Sequence, residues 1–211
     1  VNPTQAKVSP NQILAYSEDL QDIRCSVMEA RPAVKITWTL NGIDITSDAE
    51  TKEIDINNDG TSMTVSTLHQ VFNVEDNGQN LECVIEHSTF SEPDIAVVPI
   101  TVYFSPVQKP IQTFYQIPLH GYYEVVLSFS ANPCPTALKW SYGNTFEIQI
   151  PIDNGKFSTY LINHENGNYQ ALLRLAEITK EDIKTHFKLH VENEIGATEY
   201  SVLLSMAHNP I

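Results

Sequence analysis

Short runs in which apolar and polar residues alternate, each closed off by Asn, Asp, Gly or Pro, recur along the whole chain, and no window sustains a helical period. A period of two sends one side of each run toward a core and the other toward water, so the chain is expected to be all-β. In the first half such runs cover Gln21 to Met28, Val34 to Leu40, Glu50 to Ile56, Ser62 to Phe72, Leu81 to His87 and Ala96 to Phe104. In the second half they cover Glu124 to Ser130, Ala137 to Tyr142, Thr145 to Ile150, Phe157 to Ile162, Tyr169 to Ile178, His186 to Asn193 and Thr198 to Met206. Asn41-Gly42 and Asn58-Asp59-Gly60 supply positive φ at little cost and read as hairpin turns.

Length alone leaves 211 residues open between one large domain and two ordinary ones. The repeated plan of strands decides for two β-sandwiches of about a hundred residues each. Pro106 and Pro110 stiffen the segment after Tyr103-Phe104-Ser105, which sets the expected domains at 1–104 and 105–211. With 42% hydrophobic and 18% charged residues the chain can bury a core in each. Its 12 basic against 26 acidic side chains give a net charge of -14, which repels phosphate backbones and anionic lipid and argues against nucleic acid as a partner. The three cysteines, Cys25, Cys83 and Cys134, have no CxxC spacing for zinc or redox work and read as one pair and one orphan. No apolar stretch reaches the length of a membrane span and the start has no leader pattern, so the chain reads as a piece of a longer protein whose leader and anchor lie elsewhere.

Cys25 stands on one alternating run and Trp38 on the next, and Cys83 follows Glu75-Asp76-Asn77-Gly78-Gln79-Asn80-Leu81 on a late run. This arrangement resembles the Cys, Trp, Cys framework of an immunoglobulin domain. The resemblance implies a Cys25–Cys83 disulfide between facing sheets, with the Trp38 indole packed on the sulfurs. Closing a loop of about sixty residues would contribute roughly 4 kcal/mol by loop entropy. The pattern Asp-x-Gly-x-x-Leu-x-Cys running into Val84-Ile85-Glu86-His87 resembles the second, C-set-like domains of nectin-type adhesion molecules. Leu81 departs from the tyrosine common at that corner and has no phenol to bond the turn's backbone.

In the second half Trp140 and the turn Thr179-Lys180-Glu181-Asp182 are present, but the two cysteine positions, counted from these landmarks, fall on Leu127 and Leu189. A Leu–Leu contact keeps the burial, roughly 1.5 to 3 kcal/mol per side chain, and loses the cross-link. The expected fold is therefore two tandem immunoglobulin-like β-sandwiches, the first with a disulfide and of C-set or C2 type, the second without. Tyr103-Phe104-Ser105-Pro106-Val107 and His190-Val191-Glu192-Asn193-Glu194-Ile195-Gly196-Ala197-Thr198-Glu199-Tyr200 resemble the membrane-proximal domain pair of the fasciclin III family of insect adhesion molecules. That resemblance implies a single-pass type I membrane glycoprotein that acts in cell adhesion and neuronal recognition. It implies homophilic binding to the same molecule on an opposing cell, outside the plasma membrane and with the outermost domain missing here. The alternative is a receptor or secreted module that binds a different protein, since sandwich domains serve both uses.

No catalytic constellation stands out. Asp55-Ile56-Asn57-Asn58-Asp59-Gly60 matches the opening of an EF-hand loop, but its twelfth position is Ser66 and strands flank it, so it reads as a polar hairpin turn. Glu75-Asp76 and Glu181-Asp182 precede a late strand and read as caps or ion-pair partners rather than an acid–base pair. Nucleophile elbows, phosphate loops and HExxH helices are absent from the sequence, and no enzyme, cofactor, metal or small-molecule substrate is expected. His186 and His190 should share a solvated strand face with Lys188 and Glu192, opposite Phe187, Leu189 and Val191, with a pH-sensitive contact as the sharper reading. Cys134, between prolines in a loop, reads as a free thiol, with a bridge to a missing domain as the alternative. Without an Asn-x-Ser/Thr acceptor, N-glycosylation is not expected in these residues. Val84 and Leu203 should point outward among polar neighbours and are the apolar candidates for a protein contact.

Overall fold

A computed structural model describes residues 1–55, 60–108, 110–143 and 146–206. The chain divides into two compact units, Val1–Tyr103 and Phe104–Ile211. In unit 1 the strands are β1 (Lys7–Ser9), β2 (Ile13–Tyr16), β3 (Leu20–Ala30), β4 (Lys35–Leu40), β5 (Ile43–Asp44), β6 (Ala49–Asp55), β7 (Ser62–Val71), β8 (Asn80–Glu86) and β9 (Asp94–Tyr103). They form a four-stranded sheet, β1-β3-β7-β6, and a five-stranded sheet, β2-β9-β8-β4-β5. The long alternating runs all form strands. The pieces that alternation misses are β1, β2 and β5, two to four residues long and too short to show a period. Asn41 and Gly42, with φ of 52° and 74°, make the two-residue turn between β4 and β5. The Asn58-Asp59-Gly60 turn and the EF-hand-like stretch from Asp55 to Gly60 fall on residues 56–59, outside the described residues.

Unit 2 repeats the plan with β10 (Gln112–Phe114), β11 (Tyr123–Ser130), β12 (Ala137–Tyr142), β13 (Phe146–Gln149), β14 (Ile152–Asp153), β15 (Phe157–Asn163), β16 (Asn168–Leu175), a short helix α1 (Lys180–Lys184), β17 (Phe187–Glu192) and β18 (Ala197–Leu204). Its sheets are β11-β16-β15-β14 and β10-β18-β17-β12-β13. The run expected to reach Ile178 stops at Leu175, and Glu177 takes a φ of 49° that no strand can hold. Segment Phe104 to Val107 is tied into unit 2, where Thr198 Oγ1 donates to the Pro106 carbonyl at 2.7 Å and the Tyr200 hydroxyl to that of Val107 at 2.7 Å.

Each unit is centred on a buried tryptophan, and the two centres differ in chemistry. In unit 1, Cys25 and Cys83 are joined, Cys83 lies opposite Trp38, and all three are fully buried. The Trp38 indole N–H donates to Ser66 Oγ at 2.9 Å, and Thr51 Oγ1 donates to the same oxygen at 2.9 Å. In unit 2, Leu189 lies opposite Trp140, and Leu127 pairs with Ala171 where Cys25 pairs with Ser66. Leu127 and Leu189 are fully buried, as expected of a cystine replacement. The serine has also become Ala171, and its cross-strand neighbour, threonine in unit 1, is Leu161. Trp140 Nε1 is accordingly buried without a hydrogen-bond partner. An orphaned N–H of this kind costs about 1 to 3 kcal/mol.

The acid before each late strand is a cap. Asn73 and Asp76 form a reciprocal capping box, and so do Thr179 and Asp182 at the start of α1. Asp182 is 2% exposed and also accepts from Lys156 Nζ at 2.6 Å and from the Tyr142 hydroxyl at 3.1 Å. Burial raises its carboxyl, but the bonds from Lys156 and from the Thr179 N–H and hydroxyl outweigh it and hold the group below the ordinary carboxylate range.

Two outcomes are expected in denaturant unfolding followed unit by unit. Ala171→Ser should supply the acceptor that Trp140 lacks and stabilise unit 2 by about 1 kcal/mol, while Ser66→Ala should cost unit 1 about 1 to 2 kcal/mol. The folded pKa of Asp182 lies below its unfolded value of about 3.9, so its contribution is complete above that pH and is lost as pH falls through the lower folded value. Asp182→Asn should cost unit 2 about 2 kcal/mol at pH 7 and flatten its stability profile below pH ~4.

Candidate recognition surface

Strand alternation in the five-stranded sheet of unit 1 buries Leu81, Cys83 and Ile85 of β8 and Val98, Ile100 and Val102 of β9. The other parity faces solvent. On β8 that places Glu82, Val84 and Glu86 outward. On β9 it places Ile95, Val97, Pro99, Thr101 and Tyr103 outward, and on β2 it places Leu14 and Tyr16. Register brings these together: Val84 lies beside Ile95, Glu82 beside Val97, Leu14 beside Thr101 and Tyr16 beside Tyr103, with the two tyrosine rings 5.7 Å apart. Ile95, Val97, Leu14 and Tyr16 are each at least 50% exposed. The result is an apolar row along β9, widened by Val84 on one side and by Leu14 and Tyr16 on the other. A solvated apolar row of this kind is what a protein partner can cover with gain.

The rim of the row is polar and organised. Lys35 Nζ of β4 donates to Glu86 Oε2 at 2.8 Å, and Thr39 Oγ1 donates to Glu82 Oε2 at 2.8 Å. The hydrogen bond to Glu86, and then its charge, hold the Lys35 ammonium above its ordinary range. Both pairs are exposed or half-exposed and contribute little to stability. They fix which polar groups border the row.

The matching face of unit 2 has a different character. On β17, Phe187, Leu189 and Val191 are buried and Lys188, His190 and Glu192 face outward, as alternation predicts. Ion pairs cover this face, Lys139–Glu147 at 2.6 Å and Lys188–Glu199 at 3.2 Å, and His190 Nε2 lies 3.6 Å from Glu192 Oε2. His186 is exposed but precedes β17, so it does not belong to the strand it was expected to share with His190, and its carbonyl accepts from the Gly143 N–H at 3.0 Å. Leu203 is half-buried on β18 beside Thr113 of β10, apart from any apolar row. Cys134 is an exposed free thiol. Among the described residues no group of three His, Cys, Asp or Glu side chains is placed to hold a metal ion, and no helix is long and apolar enough to cross a membrane.

Val84 faces outward as expected, but beside apolar Ile95 rather than among polar neighbours, and Ile95, Val97, Leu14 and Tyr16 were not among the apolar residues expected there. A signal was present, because Ile95-Ala96-Val97-Val98-Pro99-Ile100 is apolar at both parities. A strand that must bury only one side has no need of that. Starting the strand at Ala96 rather than Asp94 hid the doubled pattern, and β2 was too short to be seen as a strand at all.

The family of CD80-like C2-set immunoglobulin domains matches residues 6–94. Among curated proteins the chain is similar to Fasciclin-3 of Drosophila melanogaster, at 28% identity over 194 residues covering 89% of this chain. The chain spans 38% of that protein's length. Among solved structures it is similar to Dpr2 Ig1-Ig2 in complex with DIP-Theta Ig1-Ig3, with a TM-score of 0.65 at 14% identity over 97% of this chain and 66% of that one. It is also similar to the full ectodomain of mouse nectin-like molecule 4, with a TM-score of 0.57 at 16% identity over 99% of this chain and 66% of that one. A bridged cystine beside a buried tryptophan in unit 1, the same two-sheet plan around Trp140 in unit 2 and the match over residues 6–94 give this chain the fold of two immunoglobulin-like β-sandwiches, the first of them similar to a C2-set domain.

Proposed function

We propose that this chain is part of the extracellular region of a cell-surface adhesion molecule, that its role is binding rather than catalysis, and that its partner is the same molecule on an opposing cell. The observation that carries the reading is the apolar row of Ile95, Val97, Leu14, Tyr16 and Val84 on the five-stranded sheet of unit 1. A row of aromatic and branched side chains with a paired polar rim has the composition of a contact centre. The similarity to Fasciclin-3 over most of the chain supports the adhesive reading. The Cys25–Cys83 bridge supports an oxidising, extracellular compartment. The acidic charge of -14 favours a second reading, a different and more basic partner at the same row, because like-charged copies repel wherever their charges face each other.

Beads coated with the chain test this. Aggregation of coated beads with one another, reduced at least tenfold in apparent affinity by Val97→Lys, is expected if two copies meet through the row. Coated beads that stay dispersed overturn homophilic binding by this chain, and aggregation that survives Val97→Lys overturns the row as its surface.

A further inference from the structure

We propose that the free edge of β15 in unit 2 pairs with β15 of a second copy of this chain, antiparallel and around a two-fold axis, joining their β11-β16-β15-β14 sheets into one. This association goes beyond the adhesive reading and does not depend on what the row in unit 1 binds.

The backbone carries the first part of the argument. β16 pairs with β15 along its whole length, from Phe157 to Asn163. On the other side β14 reaches only Ser158 and Thr159, through Asp153 and Ile152. From Tyr160 to Asn163 the outer edge of β15 meets no further strand among the described residues. An edge of this kind presents unpaired N–H and C=O groups to any extended strand that can approach it.

The side chains carry the second part. Tyr160, Leu161 and Ile162 are 37%, 38% and 42% exposed in the middle of this edge. Tyr160 lies beside Leu172 of β16, which lies beside Val126 of β11, so an apolar row crosses three strands of the sheet's outer face. β6 holds the corresponding place in unit 1, as the neighbour of β7 in its sheet. β6 reads Ala-Glu-Thr-Lys-Glu-Ile-Asp, with four charged side chains, and is exposed almost throughout. Charges on an edge strand are a standard guard against edge-to-edge pairing. β15 reads Phe-Ser-Thr-Tyr-Leu-Ile-Asn and has none.

Charge also selects the occupant. On a chain of net charge -14 a basic partner is drawn to the acidic surface, whereas a second copy can approach closely only where charge is absent. The uncharged edge of β15 meets that condition. A two-fold axis at Leu161 sets Tyr160 of one copy opposite Ile162 of the other, an aromatic to β-branched cross-strand pair of the kind that stabilises antiparallel sheets.

The test is sedimentation equilibrium of the whole chain in reductant from micromolar to millimolar concentration, with amide hydrogen exchange at both ends of the range. The expected result is a concentration-dependent dimer, with amides of residues 160–163 protected only at high concentration. Ile162→Lys, which places a charge at an already exposed position, should weaken the dimer at least tenfold while leaving the circular-dichroism melting curve in place. Val97→Lys should leave the dimer unchanged. A chain that stays monomeric to millimolar concentration overturns the proposal and leaves the edge to a strand from another protein. A dimer whose new protection lies on β8 and β9 and which Val97→Lys abolishes also overturns it, while upholding the adhesive reading. A β15 dimer on beads that never aggregate upholds the edge pairing and overturns homophilic adhesion.

Discussion

A buried indole between two sheets, and what is set against it, governs the rest of this chain. In unit 1, Trp38 lies against a covalent bridge and donates to a serine that a threonine also reaches, so the indole N–H is satisfied and the sheets are tied. In unit 2, Trp140 lies against leucines and its N–H has no partner. The second centre is held by burial alone, with Phe129, Tyr169 and Tyr200 packed as an aromatic group around the same core. The Lys156–Asp182–Thr179 network at the base of β17 adds a polar anchor, and the Tyr142 hydroxyl joins it. Because each unit closes its own core, each is free to use its outer sheet faces differently.

Those outer faces differ in chemistry between the two units. The five-stranded sheet of unit 1 exposes an apolar row with a paired polar rim, whereas the same sheet of unit 2 is covered by ion pairs. The four-stranded sheets show the reverse contrast: β6 of unit 1 is charged along its edge and β15 of unit 2 is not. Scattered apolar residues on a surface carry little meaning, but apolar residues aligned by register on neighbouring strands do. Against a net charge of -14, uncharged strips are also the places where an acidic partner meets least repulsion.

Much of the architecture was legible from alternation and turn residues. The long strands and the Asn41-Gly42 hairpin follow from period and turn chemistry, which are local properties, while the cystine pair and the Leu127 and Leu189 replacement came from the resemblance to an immunoglobulin framework. Short strands such as β2 and β14 were not legible, because two to four residues hold too little pattern to stand out from a loop. His186 was placed on a strand it only precedes, since a strand's end depends on how far its neighbour can follow it, and β18 pairs with β17 only from Phe187 onward. Parity placed Val84 outward, but its apolar neighbour Ile95 stands on another strand, and only the pairing brings the two together.

The amino-acid sequence by itself determined that this chain is all-β and holds two sandwiches, because period and residue type act on the chain locally, and its resemblance to an immunoglobulin framework supplied the tryptophan at each centre and the single bridge. Only the tertiary structure decided which outward residues form a row, which strand is left as an open edge and which buried N–H has no acceptor. Those properties belong to register between strands far apart in sequence, and a shift of one residue in that register would rearrange every one of them.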